Sequence, residues 1–137
     1  KDTLNNLLGI VTIVLSSIPA VSLVVAGLGI MTVMTVSVNE RTREIGIKKS
    51  LGATRGTILL EFLIEAFTIS LIGSMVGVGA GLFVVWFGCI LLHIPVSVDP
   101  RLIAISIILT VGIGMIFGVY PATVAARMRP VDALRTD

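Results

Sequence analysis

Three long stretches of the chain contain no charged residue: residues 3–38, 67–92 and 102–126. A transmembrane helix needs about 20 apolar residues to cross roughly 30 Å of hydrocarbon, and each stretch meets that length. A charge at the bilayer centre costs about 2.5–3.5 kcal/mol on insertion scales, so a lipid environment favours such stretches. We therefore predict an all-α membrane protein with three transmembrane helices.

The composition agrees with a lipid environment and excludes several other classes of function. Charged residues make up 13% of the chain, about half the usual share in a soluble domain. The single cysteine, Cys89, excludes an internal disulfide, and with His93 as the single histidine no ligand set for a metal is expected. Basic residues are not interleaved with aromatics, so nucleic-acid binding has no support.

The prolines divide the chain further. The first stretch is too long for a single crossing, and Pro19 is well tolerated in a first helical turn. We expect residues 1–18 to form an extracytoplasmic stem or the start of the first helix, with a continuous helix kinked at Pro19 as the alternative. The remaining segments are a span at 19–38, a cytoplasmic helix at 39–56, spans at 57–92 and 102–126, an extracytoplasmic turn at 93–101 and a cytoplasmic tail at 127–137.

The distribution of basic residues predicts the orientation in the membrane. Segment 39–56 carries five of the ten basic residues and the C-terminal tail carries three, whereas Lys1 and Arg101 lie on the other side. We therefore expect segment 39–56 and the C-terminus to face the cytoplasm. The N-terminus would lie outside, which predicts an earlier span or a cleaved signal upstream of Lys1.

Segment 39–56, NERTREIGIKKSLGATRG, is predicted to contain a short helix outside the membrane. Asn39 is the expected N-cap, with Glu40 in the first turn, and Gly52 is expected to end the helix. Thr54 is then placed to cap a second helix that continues into the next span.

The spacing within this short helix predicts two faces. Glu44 and Lys48 are four residues apart and form a favourable pair on one of them. The apolar column is predicted to contain Arg43, Ile47 and Leu51, with Ile45 at its flank. Such a helix suits docking to a partner protein; the alternatives are a helix lying on anionic lipid and a solvated loop that only sets topology.

Three motifs resemble those of the FtsX-like ABC-transporter permeases, and within them the macrolide-exporter (MacB-type) branch. NERTREIGIKKSLGAT, residues 39–54, resembles the cytoplasmic signature of that family. YPATVAARMRPVDALR, residues 120–135, resembles its C-terminal signature, and FLIEA, residues 62–66, also matches. The resemblance extends over essentially the whole chain, which corresponds to the last three spans of a four-span permease.

The resemblance implies a dimeric permease that works with an ABC ATP-binding subunit or domain, and it allows a membrane-fusion or adaptor protein as a further partner. No Walker A pattern occurs, so no catalytic residue is expected here, and ATP and magnesium are expected in the partner or in a fused upstream domain. The implied ATPase-coupling residues are Glu40, Arg41, Arg43, Glu44, Ile45, Ile47, Lys48 and Leu51. A C-terminal contact is implied at Arg129, Pro130, Leu134 and Arg135.

The function implied by the resemblance is export from the bacterial inner membrane of macrolides, antimicrobial peptides or similar compounds. Within the family, the alternatives are a regulator of a cell-wall hydrolase and a lipoprotein-release permease. Outside it, the alternatives are a membrane anchor or sensor without an ATPase, and an ion-coupled transporter. The lack of charges within the spans opposes the last of these.

Small residues recur at helical spacing in the second and third spans. Gly73, Gly77 and Gly81 form one stripe, and Gly114 and Gly118 repeat the spacing. Because small residues let helix backbones approach closely in lipid, we expect these glycines to pack the two spans together. The alternative is the ordinary glycine content of membrane helices.

Two carboxylates lie one turn apart where the second span enters the membrane, Glu61 and Glu65. A carboxylate near lipid usually has a partner or a function. We expect Glu65 to pair with a basic residue such as Arg127, with a proton relay as the alternative.

Overall fold

The computed structural model describes residues 1–135, which form five helices. They are α1 (Asp2–Glu40), α2 (Thr42–Ser50), α3 (Arg55–Leu92), α4 (Pro100–Arg127) and α5 (Pro130–Leu134). Helices α1, α3 and α4 are long and apolar enough to cross a membrane. The predicted all-α membrane fold with three spans is therefore confirmed.

Helix α1 is continuous, and Pro19 lies inside it. Its 39 residues extend over about 58 Å, nearly twice the thickness of the hydrocarbon core. Proline removes one backbone hydrogen bond, and the neighbouring Ser17 hydroxyl donates to the Val14 carbonyl at 2.7 Å. The structure thus shows one helix across the expected boundary between stem and span.

Helix α4 packs against both α1 and α3, and three glycines allow this close approach. A β-carbon at Gly118 would lie 2.5 Å from the β-carbon of Ala66, and one at Gly114 would overlap Ser70. On the other side of the bundle, Gly27 of α1 faces the ring of Phe117. Gly114 and Gly118 therefore lie between the second and third spans, as expected.

The glycine stripe of α3 does not take part in this contact. Within 4 Å of a β-carbon placed at Gly73, Gly77 or Gly81 there is no other group, so the expectation that they pack against α4 is wrong for this chain. The buried stripe of α3 is instead the parallel one at Ala66, Ser70 and Ser74. Successive residues of a helix point about 100° apart, so the two stripes face different directions.

The buried core lies at one end of the bundle, where α1, α3 and α4 meet α2; we call this the α2 end. Its members come from all four helices: Met34, Val38, Ile45, Ile58, Phe62, Ala66, Ala122, Ala125 and Ala126. At the opposite end, every residue from 1 to 22 of α1 is exposed. Helix α1 therefore contacts the other helices closely toward the α2 end and has no buried residue over its first half.

The turn between α2 and α3 follows the sequence prediction. Gly52 has φ +101°, in the left-handed region that glycine adopts readily, and it ends α2. The Thr54 hydroxyl oxygen accepts a hydrogen bond from the Thr57 backbone N–H at 3.3 Å and caps α3. The predicted end of α2 and the predicted cap of α3 are both confirmed.

The predicted start of α2 is wrong. Asn39 is not an N-cap, because α1 continues through Glu40 and leaves no helix start at that position. The cap position is Arg41, which makes no side-chain capping bond. The Thr42 hydroxyl donates to the Asn39 carbonyl at 2.8 Å, so it binds the end of α1.

Candidate functional site at α2 and α5

Helix α2 is a nine-residue helix that joins two spans at the α2 end. Backbone continuity runs from α1 through Arg41 into α2, and from α2 through residues 51–54 into α3. The helix also lies against α5, the short helix that follows α4. One small element is therefore in contact with the ends of all three long helices.

The inner face of α2 is formed by Ile45 and Gly46. Ile45 is 3% exposed and belongs to the core, and a β-carbon at Gly46 would lie 2.8 Å from the β-carbon of Ala133 in α5. Ile45 is thus buried within this chain and not on the surface to which it was predicted to contribute. The close approach at Gly46 brings α5 directly onto α2.

The outer face of α2 exposes apolar side chains together with charged ones. Leu51 is 84% exposed and Ile47 is 43% exposed. In the adjacent α5, Val131 and Leu134 are also exposed. We call these four residues the α2–α5 surface. The predicted coupling and tail residues that are exposed around them are Glu40, Arg41, Arg43, Glu44, Lys48, Arg129 and Arg135.

Two ion pairs join the region of α2 to α3. Lys48 Nζ lies 2.7 Å from Glu61 Oε1, and a guanidinium nitrogen of Arg41 lies 3.6 Å from Glu65 Oε2. Lys48 thus pairs across helices and not with Glu44, and the partner of Glu65 is Arg41 and not Arg127. Helical side chains lean toward the N-terminus of their own helix, which directs both glutamates toward α2. Partly exposed pairs of this kind contribute about 0.2–1 kcal/mol each.

Lys49 makes a third link, which the sequence reasoning missed. Its Nζ donates to the carbonyl oxygens of Ala126 and Met128 at the end of α4. Burial lowers the pKa of the Lys49 ammonium, and the nearby Arg55 cation lowers it further. No local pattern signals this contact, because Lys49 and Ala126 are 77 positions apart.

No cluster of three or more His, Cys, Asp or Glu side chains that could hold a metal lies within residues 1–135. His93 ends α3 with φ 56°, and its backbone N–H donates to the Ile90 carbonyl at 3.3 Å. Its position at the end of a span, where the chain turns toward α4, gives it a structural role in the turn.

The contacts of α2 link it to all three long helices. Helix α2 is joined through the backbone to α1 and α3, through the ion pair Lys48–Glu61 to α3, and through Lys49 to α4. At the same time its outer face is open to another molecule.

Comparison with known proteins identifies the relatives of this chain. Residues 16–130 match the family described as FtsX-like permease C-terminal. The chain is 45% identical over 126 residues to the Bacillus subtilis (strain 168) protein named "Uncharacterized ABC transporter permease YknZ", covering 92% of this chain and 32% of that protein.

Proteins named "Macrolide export ATP-binding/permease protein MacB" are similar as well. The Neisseria gonorrhoeae (strain ATCC 700825 / FA 1090) protein is 44% identical over 130 residues, which is 94% of this chain and 20% of the relative. That of Bdellovibrio bacteriovorus is 41% identical over 139 residues, 98% of this chain and 21% of the relative. The chain thus spans about a fifth to a third of the length of these relatives. Because the match covers more than half of its length, the chain belongs to the FtsX-like permease family and corresponds to the C-terminal domain that defines it.

Proposed function

We propose that this chain is the transmembrane part of an ABC-type exporter, and that its α2–α5 surface docks an ATP-binding subunit or domain. Family membership supports the permease role, and the names of the MacB relatives include both an ATP-binding and a permease function. ATP and magnesium would be bound by the ATP-binding partner or by a fused domain, so that this chain converts hydrolysis into helix movement.

The observation that carries the proposal is the exposure of apolar side chains on a helix that lies beyond the spans. Leu51 is 84% exposed, and Ile47, Val131 and Leu134 are exposed beside charged residues. Exposed apolar groups rimmed by charge are typical of protein interfaces, in which a few buried anchors supply most of the affinity and the rim sets specificity. The proposed anchors are Ile47 of α2 and Leu51, the residue directly after α2.

The proposed orientation places α2, α5 and the C-terminus in the cytoplasm of a bacterial inner membrane, where ATP is available. The excess of Lys and Arg in segment 39–56 and in the tail supports this orientation. The ion pairs Lys48–Glu61 and Arg41–Glu65 would then lie at the inner membrane surface, where charged side chains reach water.

For the cargo we propose macrolides, antimicrobial peptides or similar amphipathic compounds. The support is the name of the MacB relatives, which describes macrolide export. The proposed assembly contains a second permease copy and an adaptor protein. In it the three spans act as moving elements that transmit displacement across the bilayer.

The docking proposal is tested in the complete gene product, purified in mild detergent and transferred to lipid nanodiscs. Mass spectrometry of the purified material should show a stoichiometric ATP-binding subunit, or the fused domain. Ile47→Asp combined with Leu51→Asp should lower the permease-dependent stimulation of ATP hydrolysis by about tenfold or more, because both anchors would become charged. Expression and melting temperature should not change, since both side chains are exposed.

Thr57→Asp is the control for each single substitution, Ile47→Asp and Leu51→Asp, because it adds one negative charge to an exposed residue in the first turn of α3. This variant should keep its stimulation of ATP hydrolysis. A double variant that stimulates ATP hydrolysis as well as the unmodified protein would contradict the docking role. A chain that purifies without any ATP-binding subunit or domain would instead point to a membrane anchor or sensor.

A further inference from the structure

The end of α4 has backbone carbonyls that need donors from elsewhere. The last four carbonyls of an α-helix lack partners within the helix. Helix α4 ends at Arg127, Met128 is extended, and α5 begins with Pro130, whose nitrogen has no hydrogen to donate. The Lys49 ammonium of α2 donates to the Ala126 and Met128 carbonyls, on either side of Arg127.

The Lys49 ammonium is partly withdrawn from water in this position. The residue is half-buried, and its pKa is lowered first by burial and then by the Arg55 cation. Withdrawing a cation from water costs free energy, and the negative end of a helix dipole together with carbonyl acceptors offsets that cost. Reaching out into water would relieve the burial but leave the carbonyls of Ala126 and Met128 without this donor.

The connectivity of the chain makes this contact important. Helix α2 continues through the backbone into α1 on one side and α3 on the other. Helix α4 is separated from α2 in the chain by the whole of α3. A displacement of α2 therefore reaches α4 through contacts in space. Apolar packing supplies some of them, through the core that Ile45 shares with the alanines of α4 and through Gly46 against Ala133 of α5. Lys49 supplies the direct polar contact, because its ammonium donates to backbone carbonyls at the end of α4.

We propose that Lys49 is a positioning residue that ties α2 to the end of α4, so that α4 moves together with α1 and α3 when α2 is displaced. The proposal rests on the proposed docking role of α2. Lys49 does not touch the partner in this scheme: it acts through the carbonyls of Ala126 and Met128.

The neighbouring lysine supplies a matched control. Lys48 Nζ pairs with Glu61 of α3, a helix to which α2 is already joined through the backbone. Removing the Lys48 ammonium therefore takes away the same charge from the adjacent position and leaves the link to α4 intact. The two lysines separate the effect of the α4 link from a general effect of lost charge on α2.

The experiment measures the distance between α2 and α4 in the complete permease complex in nanodiscs. Spin labels are placed at Ser50→Cys of α2 and Val124→Cys of α4, both exposed positions, in a Cys89→Ser background. Pulsed electron paramagnetic resonance spectroscopy then gives the distribution of distances between the two spin labels, with and without ATP. Permease-dependent ATP hydrolysis is measured on the same variants without labels.

In Lys49→Met, the distance distribution should broaden and stimulated ATP hydrolysis should fall by about tenfold, the change expected from losing a charge-assisted hydrogen bond. Lys49→Arg should restore both, because guanidinium also donates to carbonyls. Lys48→Met should keep the narrow distribution. If Lys49→Met is poorly expressed, Lys49→Gln, which removes the charge and shortens the side chain, supplies the same comparison.

A Lys49→Met variant with an unchanged distance distribution would overturn the proposal, as would equal broadening in Lys48→Met. The failure of the docking role has a different signature. In that case no ATP-binding partner is present, or the variant with aspartates at Ile47 and Leu51 stimulates normally. The distances measured without nucleotide would still decide whether Lys49 holds α2 against α4.

Discussion

The two ends of the bundle differ in how closely the helices contact one another. At the α2 end, a continuous core joins four helices, and Arg41, Lys48 and Lys49 add polar links between them. At the opposite end, residues 1–22 of α1 are exposed and the glycine stripe of α3 faces open space. Open grooves lie there between α3 and α4, and between α1 and Gly77.

This difference reflects what holds membrane helices together. Lipid tails are as apolar as leucine, so apolar side chains alone do not drive helices into contact. Close approach depends on small residues that face a neighbouring helix and on polar contacts. Gly118 against Ala66 and the contacts of Lys48 and Lys49 supply both toward the α2 end. The opposite half is left free to contact lipid or other parts of a larger protein, while the half that would receive a displacement is held together.

The largest expected difference between the two ends of the bundle is in the free energy of unfolding after a side chain is shortened. Ile45→Ala should lower the free energy of unfolding by about 2–4 kcal/mol, because it leaves a cavity in the buried core at the α2 end. Leu8→Ala, at a position that is 64% exposed in the opposite half, should change it by less than about 0.5 kcal/mol. Denaturant titration in detergent measures both variants, and equal losses would remove the contrast.

The next test adds volume to the two glycine stripes. Gly118→Leu should cost about 1–3 kcal/mol, since even its β-carbon would lie 2.5 Å from that of Ala66. Gly81→Leu adds the same side chain where there is open space, and it should leave the melting temperature in detergent unchanged. A loss of stability in Gly81→Leu alone would mean that the stripe of Gly73, Gly77 and Gly81 is covered in the assembled protein.

A smaller effect is expected from the ion pairs of the α2 end. Glu61→Gln should cost about 0.2–1 kcal/mol, because Lys48 and Glu61 are both partly exposed. The loss should shrink at high salt, where the pair is screened. Glu44→Gln is the control, since Lys48 pairs with Glu61; a larger salt-dependent loss in Glu44→Gln would restore the predicted pairing within α2.

The smallest effect is expected at the turn of the opposite end. His93 adopts φ 56°, a left-handed conformation that glycine reaches without steric cost. His93→Gly should therefore stabilise the protein by about a few tenths of a kcal/mol, after the entropy of glycine in the unfolded chain is subtracted. His93→Ala, which keeps the β-carbon, should give no such gain in melting temperature.

The sequence predicted the features that depend on local chemistry. The three spans follow from the charge-free stretches, and Gly52 and Thr54 mark the turn because their roles depend on φ and on a nearby backbone N–H. The position of Gly118 between spans follows from the same kind of reasoning, since small residues permit close approach.

The features that the sequence did not predict depend on contacts between distant segments. Which face of α2 is buried depends on the core residues of α1, α3 and α4, and on Ala133 of α5, which lies against Gly46. As a result Ile45 is buried and Ile47 is exposed. The choice between two small-residue stripes of α3 depends on where α4 lies. For the same reason, spacing within α2 could not show that Lys48 reaches Glu61 or that Lys49 reaches α4.

The length of α1 has a mechanical consequence. A straight rod of about 58 Å that is rotated by about 5° about one end carries the other end sideways by about 5 Å. Pro19 lies near the middle of this rod, where a missing backbone hydrogen bond makes bending easiest. The bending stiffness of α1 around Pro19 therefore determines how far one end of the helix is displaced sideways when the other end is rotated slightly.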